Sequence, residues 1–117
     1  MNMSVTIYHN PRCSKSRETL ALLETNGVTP EIVEYLKTPV DLTTLNTLLA
    51  QLGFESAHQL VRSKETLYKE LGLNKDTDEA ALKQAMLEHP KLIERPIVVK
   101  GDKAAIGRPP ESVLAIL

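Results

Sequence analysis

The chain's single cysteine, Cys13, lies in the run HNPRCSKSR, His9 to Arg17. Two serines and two cations follow the thiol, and Pro11 precedes it by two residues. A thiol reacts as its thiolate. A cysteine of pKa about 8.5 is only about 3% ionised at pH 7, whereas one near about 6.5 is roughly three-quarters ionised. Ser14, Lys15, Ser16 and Arg17 supply hydroxyl and cationic donors that stabilise a thiolate or an oxyanion bound beside it. His9 lies across the loop and favours the thiolate if it is protonated or donating. Pro11 restricts the loop's path. A lone cysteine is more often a buried packing residue. Polar and cationic neighbours at a helix start turn the balance toward a nucleophile held at an anion site. A dithiol motif would be Cys-x-x-Cys. Here Ser16 takes the second position, so Cys13 cannot close a disulfide within the chain. If the thiol is oxidised during a cycle, an external thiol must resolve it.

The neighbouring elements must hold that loop. VTIY (Val5 to Tyr8) reads as a first strand. SKSRETLALLETNG reads as a helix with Leu20 and Leu23 on one face and Gly27 as its stop. EIVEYL (Glu31 to Leu36) reads as a second strand. Strand, helix, strand implies a right-handed crossover with parallel strands. Cys13 then falls where the first strand ends and the first helix begins. The unpaired first-turn N–H groups and the helix dipole favour negative charge there.

The middle of the chain reads as purely helical. Leu42, Leu45, Leu48, Leu49 and Leu52 recur at helical spacing after Asp41, an N-cap candidate, and before Gly53. Ser56 and Gln59 have capping-box spacing. KETLYKELG gives a further turn or two. DTDEAALKQAMLEHP gives a helix capped by Asp76 or Thr77 and stopped by Pro90. His58 and His89 read as ordinary helix residues. RPIVVK (Arg95 to Lys100) and KAAIG (Lys103 to Gly107) then flank Gly101-Asp102 as a hairpin, and RPPESVLAIL starts a last helix. The predicted fold is α/β: a thioredoxin-like, mixed four-stranded sheet (βαβ…ββα) in one domain, 1–117, with a helical insertion at about 41–90 between the two halves.

Composition narrows the function classes. The 117 residues are 42% hydrophobic and 25% charged, with a formal net charge of -1. That suits one packed domain and lacks the basic excess of a general nucleic-acid binder. No apolar run is long enough to span a membrane. The N-terminus has no signal-peptide pattern, and one cysteine fits a reducing, cytoplasmic compartment. Three scattered histidines and one cysteine predict no metal site.

YHNPRCSKSRETLALL resembles the active-site segment of the glutaredoxin-coupled arsenate reductase (ArsC-like) family, whose signature is H-N-P-x-C-[GS]-x-S-R. LVRSKETLYKELGL, ERPIVV and GRPPESVLAIL are similar to further blocks of that family in the same order, so the resemblance covers almost the whole chain. It implies a thioredoxin-like fold with a helical insertion. It implies Cys13 as nucleophile, with His9 helping to lower its pKa. Arg62, Arg95 and Arg108 become the arginines that handle the oxyanion, with Ser14, Ser16 and Arg17 as further binding groups. Asn10, Pro11 and Pro96 shape the site, Pro96 as the proline that is cis in such folds. The substrate implied is arsenate or a similar oxyanion. Glutathione is co-substrate, glutaredoxin is partner, and no cofactor is bound. Each arginine also sits at an element boundary, and a guanidinium offers a planar, permanently charged fork to a tetrahedral oxyanion.

Ser14 stands where many arsenate reductases carry glycine, but it keeps the backbone N–H. Two other readings remain open on sequence. One is a glutathione-dependent thiol/disulfide reductase of the same family. The other is a regulator resembling the Spx proteins that bind RNA polymerase. Those commonly carry a Cys-x-x-Cys switch, which Ser16 removes here.

Overall fold

The computed structural model describes residues 4–38 and 40–117. The chain divides into two compact units, one of Met1–Thr38 and Arg95–Leu117, the other of Pro39–Glu94.

The first unit is built on a four-stranded sheet in the order β2-β1-β3-β4. Strand β1 (Val5–Tyr8) leads into helix α1 (Ser14–Thr25) and then β2 (Glu31–Val33). β1 and β2 are parallel, as the crossover predicts. β3 (Ile97–Lys100) pairs antiparallel with both β1 and β4 (Lys103–Ile106). This is the thioredoxin-like mixed sheet expected from the sequence. Lys100 pairs with Lys103, so Gly101 and Asp102 alone form the turn. Gly101 has φ 63° and Asp102 has no positive φ, the combination of a type II′ turn with glycine first.

Val5 and Ile7 alternate inward along β1 and pack with Leu23, Val98 and Val113. On α1 the buried residues are Ser16, Thr19 and Leu23, one stripe at helical spacing. It is polar at the N-terminal end and apolar beyond it. Several elements differ from expectation, and β4 ends at Ile106, one residue short of Gly107. β2 ends at Val33, and Tyr35 to Lys37 turn away instead of extending the strand. Arg95 and Pro96 precede β3, since Pro96 has no N–H to offer a ladder. The last helix is a 3-10 segment, Pro110–Ile116, packed on α1 and β4.

The second unit holds α2 (Leu42–Leu52), α3 (Thr66–Glu70) and α4 (Glu79–Glu88), with short 3-10 turns at Ala57–Gln59 and Pro90–Leu92. Asp41 caps α2 by accepting from the Thr44 N–H at 2.8 Å. Leu45, Leu48 and Leu49 are buried, while Leu42 at the first turn is exposed. Ser56 and Gln59 form the expected reciprocal cap. The N-cap of α4 is Asp78, because Asn74 and Thr77 are bonded to each other in the preceding turn. Glu79 reaches out of its first turn to accept from the Ala57 N–H at 2.6 Å and the Ser56 hydroxyl at 2.7 Å. Among the described residues no helix is long and apolar enough to cross a membrane.

Candidate active site

The strand register gathers one end of the sheet. Tyr8 pairs with Ile97, and Ile97 pairs with Ile106. The chain leaving β1 (His9 onward), the chain entering β3 (Arg95, Pro96) and the chain leaving β4 (Gly107, Arg108) therefore meet at one edge. The Cys13 loop lies there.

Asn10 organises that loop. Its carbonyl accepts from the Cys13 N–H at 3.0 Å, and its Oδ1 accepts from the Arg12 N–H at 3.0 Å. Its own N–H donates to Ser16 Oγ at 3.0 Å. The Pro11 carbonyl accepts from Arg17 Nη1 at 2.9 Å, so Arg17 ties the loop back to the helix. Cys13 is the N-cap of α1, in extended backbone conformation. The exposed Ser14 occupies the first helical position.

Several groups act on the Cys13 thiol. Burial is the largest and opposes ionisation. Against it stand the Ser16 amide, the Arg95 guanidinium, the Lys15 amide and the Arg108 guanidinium, which together lower the thiol below its ordinary pKa. The two amides face Sγ without completing a conventional side-chain cap. Their effect is that of first-turn dipoles. Arg108 Nη2 donates to Sγ at 3.5 Å, and its Nε donates to the Arg95 carbonyl at 2.8 Å.

His9 is placed differently from a direct partner of the thiol. It is buried, and its Nδ1 lies 2.6 Å from Ser16 Oγ. Burial lowers its pKa, Glu34 pulls it up and Arg17 pushes it down, with a net lowering. The imidazole is therefore neutral at neutral pH. Its partner is the hydroxyl of Ser16, the residue whose amide is the largest favourable influence on the Cys13 thiolate.

Arg95 carries two buried nitrogens, Nε and Nη1, with no hydrogen-bond partner. Buried guanidinium donors left open are costly unless a ligand takes them. Pro96, buried and preceded by a cis peptide bond, sits between Arg95 and β3. Arg62 belongs to the second unit. Its Nε approaches Glu65 at 3.6 Å and its Nη1 approaches Glu94 at 3.7 Å, while its N–H donates to the Leu92 carbonyl. Among the described residues no three His, Cys, Asp or Glu side chains cluster as a metal ion would require.

Two residues beside the site carried no sequence signal of their own. Thr19 is fully buried and donates to the Lys15 carbonyl at 2.8 Å. Its spacing from Ser16 on the same helical stripe was the available clue. Gly107 reads in sequence only as a strand end.

A family model described as the ArsC family matches residues 8–116. The chain belongs to the ArsC family. Arsenate reductase of Haemophilus influenzae is 55% identical, with 98% of this chain and 100% of that one covered. The uncharacterized Escherichia coli protein YfgD is 62% identical over 100% of this chain and 99% of its own. The solved structure of arsenate reductase from Vibrio cholerae matches with a TM-score of 0.95 at 55% identity, covering both chains completely.

Proposed function

We propose that this ArsC-family protein is an oxidoreductase that reduces arsenate to arsenite, with glutathione as electron donor and glutaredoxin as the protein that regenerates it. One observation carries the reading. A thiolate-favouring cysteine at a helix N-terminus lies in the field of Arg95, a guanidinium with two buried donors open. That is a nucleophile beside a cradle for a tetrahedral anion. The names borne by the Haemophilus and Vibrio relatives support the choice of anion.

In the first step the Cys13 thiolate attacks arsenic, an As–OH group takes up a proton from solvent and leaves as water, and an S–As bond replaces the As–O bond. First-turn amides, Arg95 and Arg108 offset the oxyanion charge. A glutathione thiolate then attacks Cys13 Sγ. The S–As bonding pair stays with arsenic, reducing As(V) to As(III), and a mixed disulfide remains on Cys13. Glutaredoxin thiolate attacks the glutathione sulfur of that disulfide and frees Cys13. The chain has no second cysteine, so both electrons come from outside. Such a cycle needs a compartment where glutathione is kept reduced, which points to the cytoplasm.

The test is arsenite production with glutathione and glutaredoxin, comparing the unmodified protein with Cys13→Ser. Turnover that Cys13→Ser abolishes is expected. Reduction of a small glutathione mixed disulfide without arsenite would replace the proposal with a thiol/disulfide reductase.

A further inference from the structure

Gly107 is buried at the exit of β4, one residue before Arg108. Its N–H donates to the Pro96 carbonyl at 2.9 Å, and its carbonyl lies 3.4 Å from Thr19 Oγ1. A Cβ at this position would collide with Thr19 Oγ1, lie 2.8 Å from Pro96 Cγ and 3.0 Å from Thr19 Cγ2. Neither neighbour can yield cheaply. Thr19 is fully buried on α1 and already bonded to the Lys15 carbonyl. Pro96 is a buried ring at the start of β3. The backbone conformation of Gly107 is not one that demands glycine, since its φ lies outside the positive range. The requirement is for close approach alone.

We propose that Gly107 is a positioning residue: its missing side chain lets the end of β4 close onto Thr19 and Pro96, and this closure sets the Arg108 guanidinium against Cys13 Sγ. The distances form a short chain. α1 carries both Cys13 at its cap and Thr19 two turns along. Gly107 is fixed to Thr19 on one side and to Pro96 on the other. Arg108 follows immediately, and its bonds to the Arg95 carbonyl and to Sγ reach from that anchor. Pushing Gly107 away from α1 carries the base of Arg108 with it. A 3.5 Å contact has little slack, so a displacement of about 1 Å is enough to break it.

The proposal rests on Cys13 being the reacting thiol, but its test needs no arsenate. The Cys13 titration midpoint is read from thiolate absorbance against pH in the unmodified protein, Gly107→Ala, Arg108→Ala and the double variant. Gly107→Ala is expected to raise the midpoint by about 0.5 units, or about threefold less thiolate below the midpoint. The double variant should match Arg108→Ala alone, because Gly107 acts through Arg108. A folded Gly107→Ala with an unchanged midpoint overturns the proposal, as does a full additive shift in the double variant. If Gly107→Ala does not fold, the second probe is Gly107→Ala combined with Thr19→Ala, which removes both Thr19 atoms from the clash and leaves the one with Pro96 Cγ. A raised midpoint is expected there, and an unchanged one overturns the proposal. A protein that tolerates these changes but makes no arsenite would count against the proposed reaction and not against this role.

Discussion

Arg108→Ala tests how the thiolate is held. The guanidinium contacts Sγ at 3.5 Å, which puts the charge centres about 4 Å apart. Two unit charges at that separation attract by about 1 kcal/mol in bulk water and about 4 kcal/mol at a permittivity typical of a protein surface. Arg108 is exposed, so the aqueous end of that range applies, at about 1–1.5 kcal/mol. One pH unit corresponds to about 1.4 kcal/mol, so the Cys13 midpoint should rise by about one unit. Thiolate content then falls about tenfold at a pH below both midpoints. The more basic thiolate is also the better nucleophile, by about threefold for that change, so alkylation by iodoacetamide should slow only about threefold. Arg108→Lys keeps the charge but loses the planar fork, and should recover part of the shift. In 1 M salt, where the screening length is about 3 Å, the difference between Arg108→Ala and the unmodified protein should shrink. An unchanged midpoint in Arg108→Ala at low salt would show that the helix start and Arg95 suffice, and the reasoning about Arg108 would fail.

Other perturbations separate scaffold from chemistry. Ser16→Ala leaves the Asn10 N–H and the His9 imidazole without their buried partner, and should cost about 2 kcal/mol or more in denaturant unfolding. Its amide remains, so the Cys13 midpoint should move less than in Arg108→Ala. Cys13 has a native pKa below its unfolded value, so its ionisation contributes stability that is complete above the unfolded value and lost as pH falls through the native one. The stability gap between the unmodified protein and Cys13→Ala, followed by thermal melts, should therefore widen from neutral pH toward about 9. His9 is also lowered, from 6.5, so its contribution is present above that value and lost as pH falls below it; His9→Asn should flatten the acid limb of the melting profile. Glu79→Gln weakens two charge-assisted bonds to Ser56 and Ala57 and should destabilise the helical unit by about 1–3 kcal/mol with little change in thiolate titration.

Much of this was legible in the sequence because it rests on local rules. The Cys13 loop follows a strand and opens a helix, and those two patterns are visible in VTIY and in the Leu20–Leu23 face. The Asp41 and Ser56 caps depend on residues three or four apart, so reading them needs no tertiary information. What escaped depends on contacts between distant segments. Thr19 and Gly107 meet across 88 positions, and neither residue announces the other. The neutral state of His9 follows from burial, which no spacing reveals. The α4 cap moved to Asp78 because the preceding turn closes on its own side chains. The final segment carries good helix signals at Pro110 and Glu111 yet winds as a 3-10 turn. Leu42 repeats the helical spacing of its buried neighbours but falls at the first turn of α2, where its side chain faces solvent.

The β3–β4 hairpin works as a ruler. Arg95 lies two residues before Ile97 and Arg108 two residues after Ile106, and Ile97 and Ile106 are paired. The closed end is fixed by a turn of only two residues. Side chains along both strands can vary as long as the faces keep their polarity, but the number of residues cannot. One inserted or deleted residue in either strand would shift its arginine by about 3.3 Å and turn it to the opposite face of the sheet. Length, more than composition, is what this hairpin has to preserve.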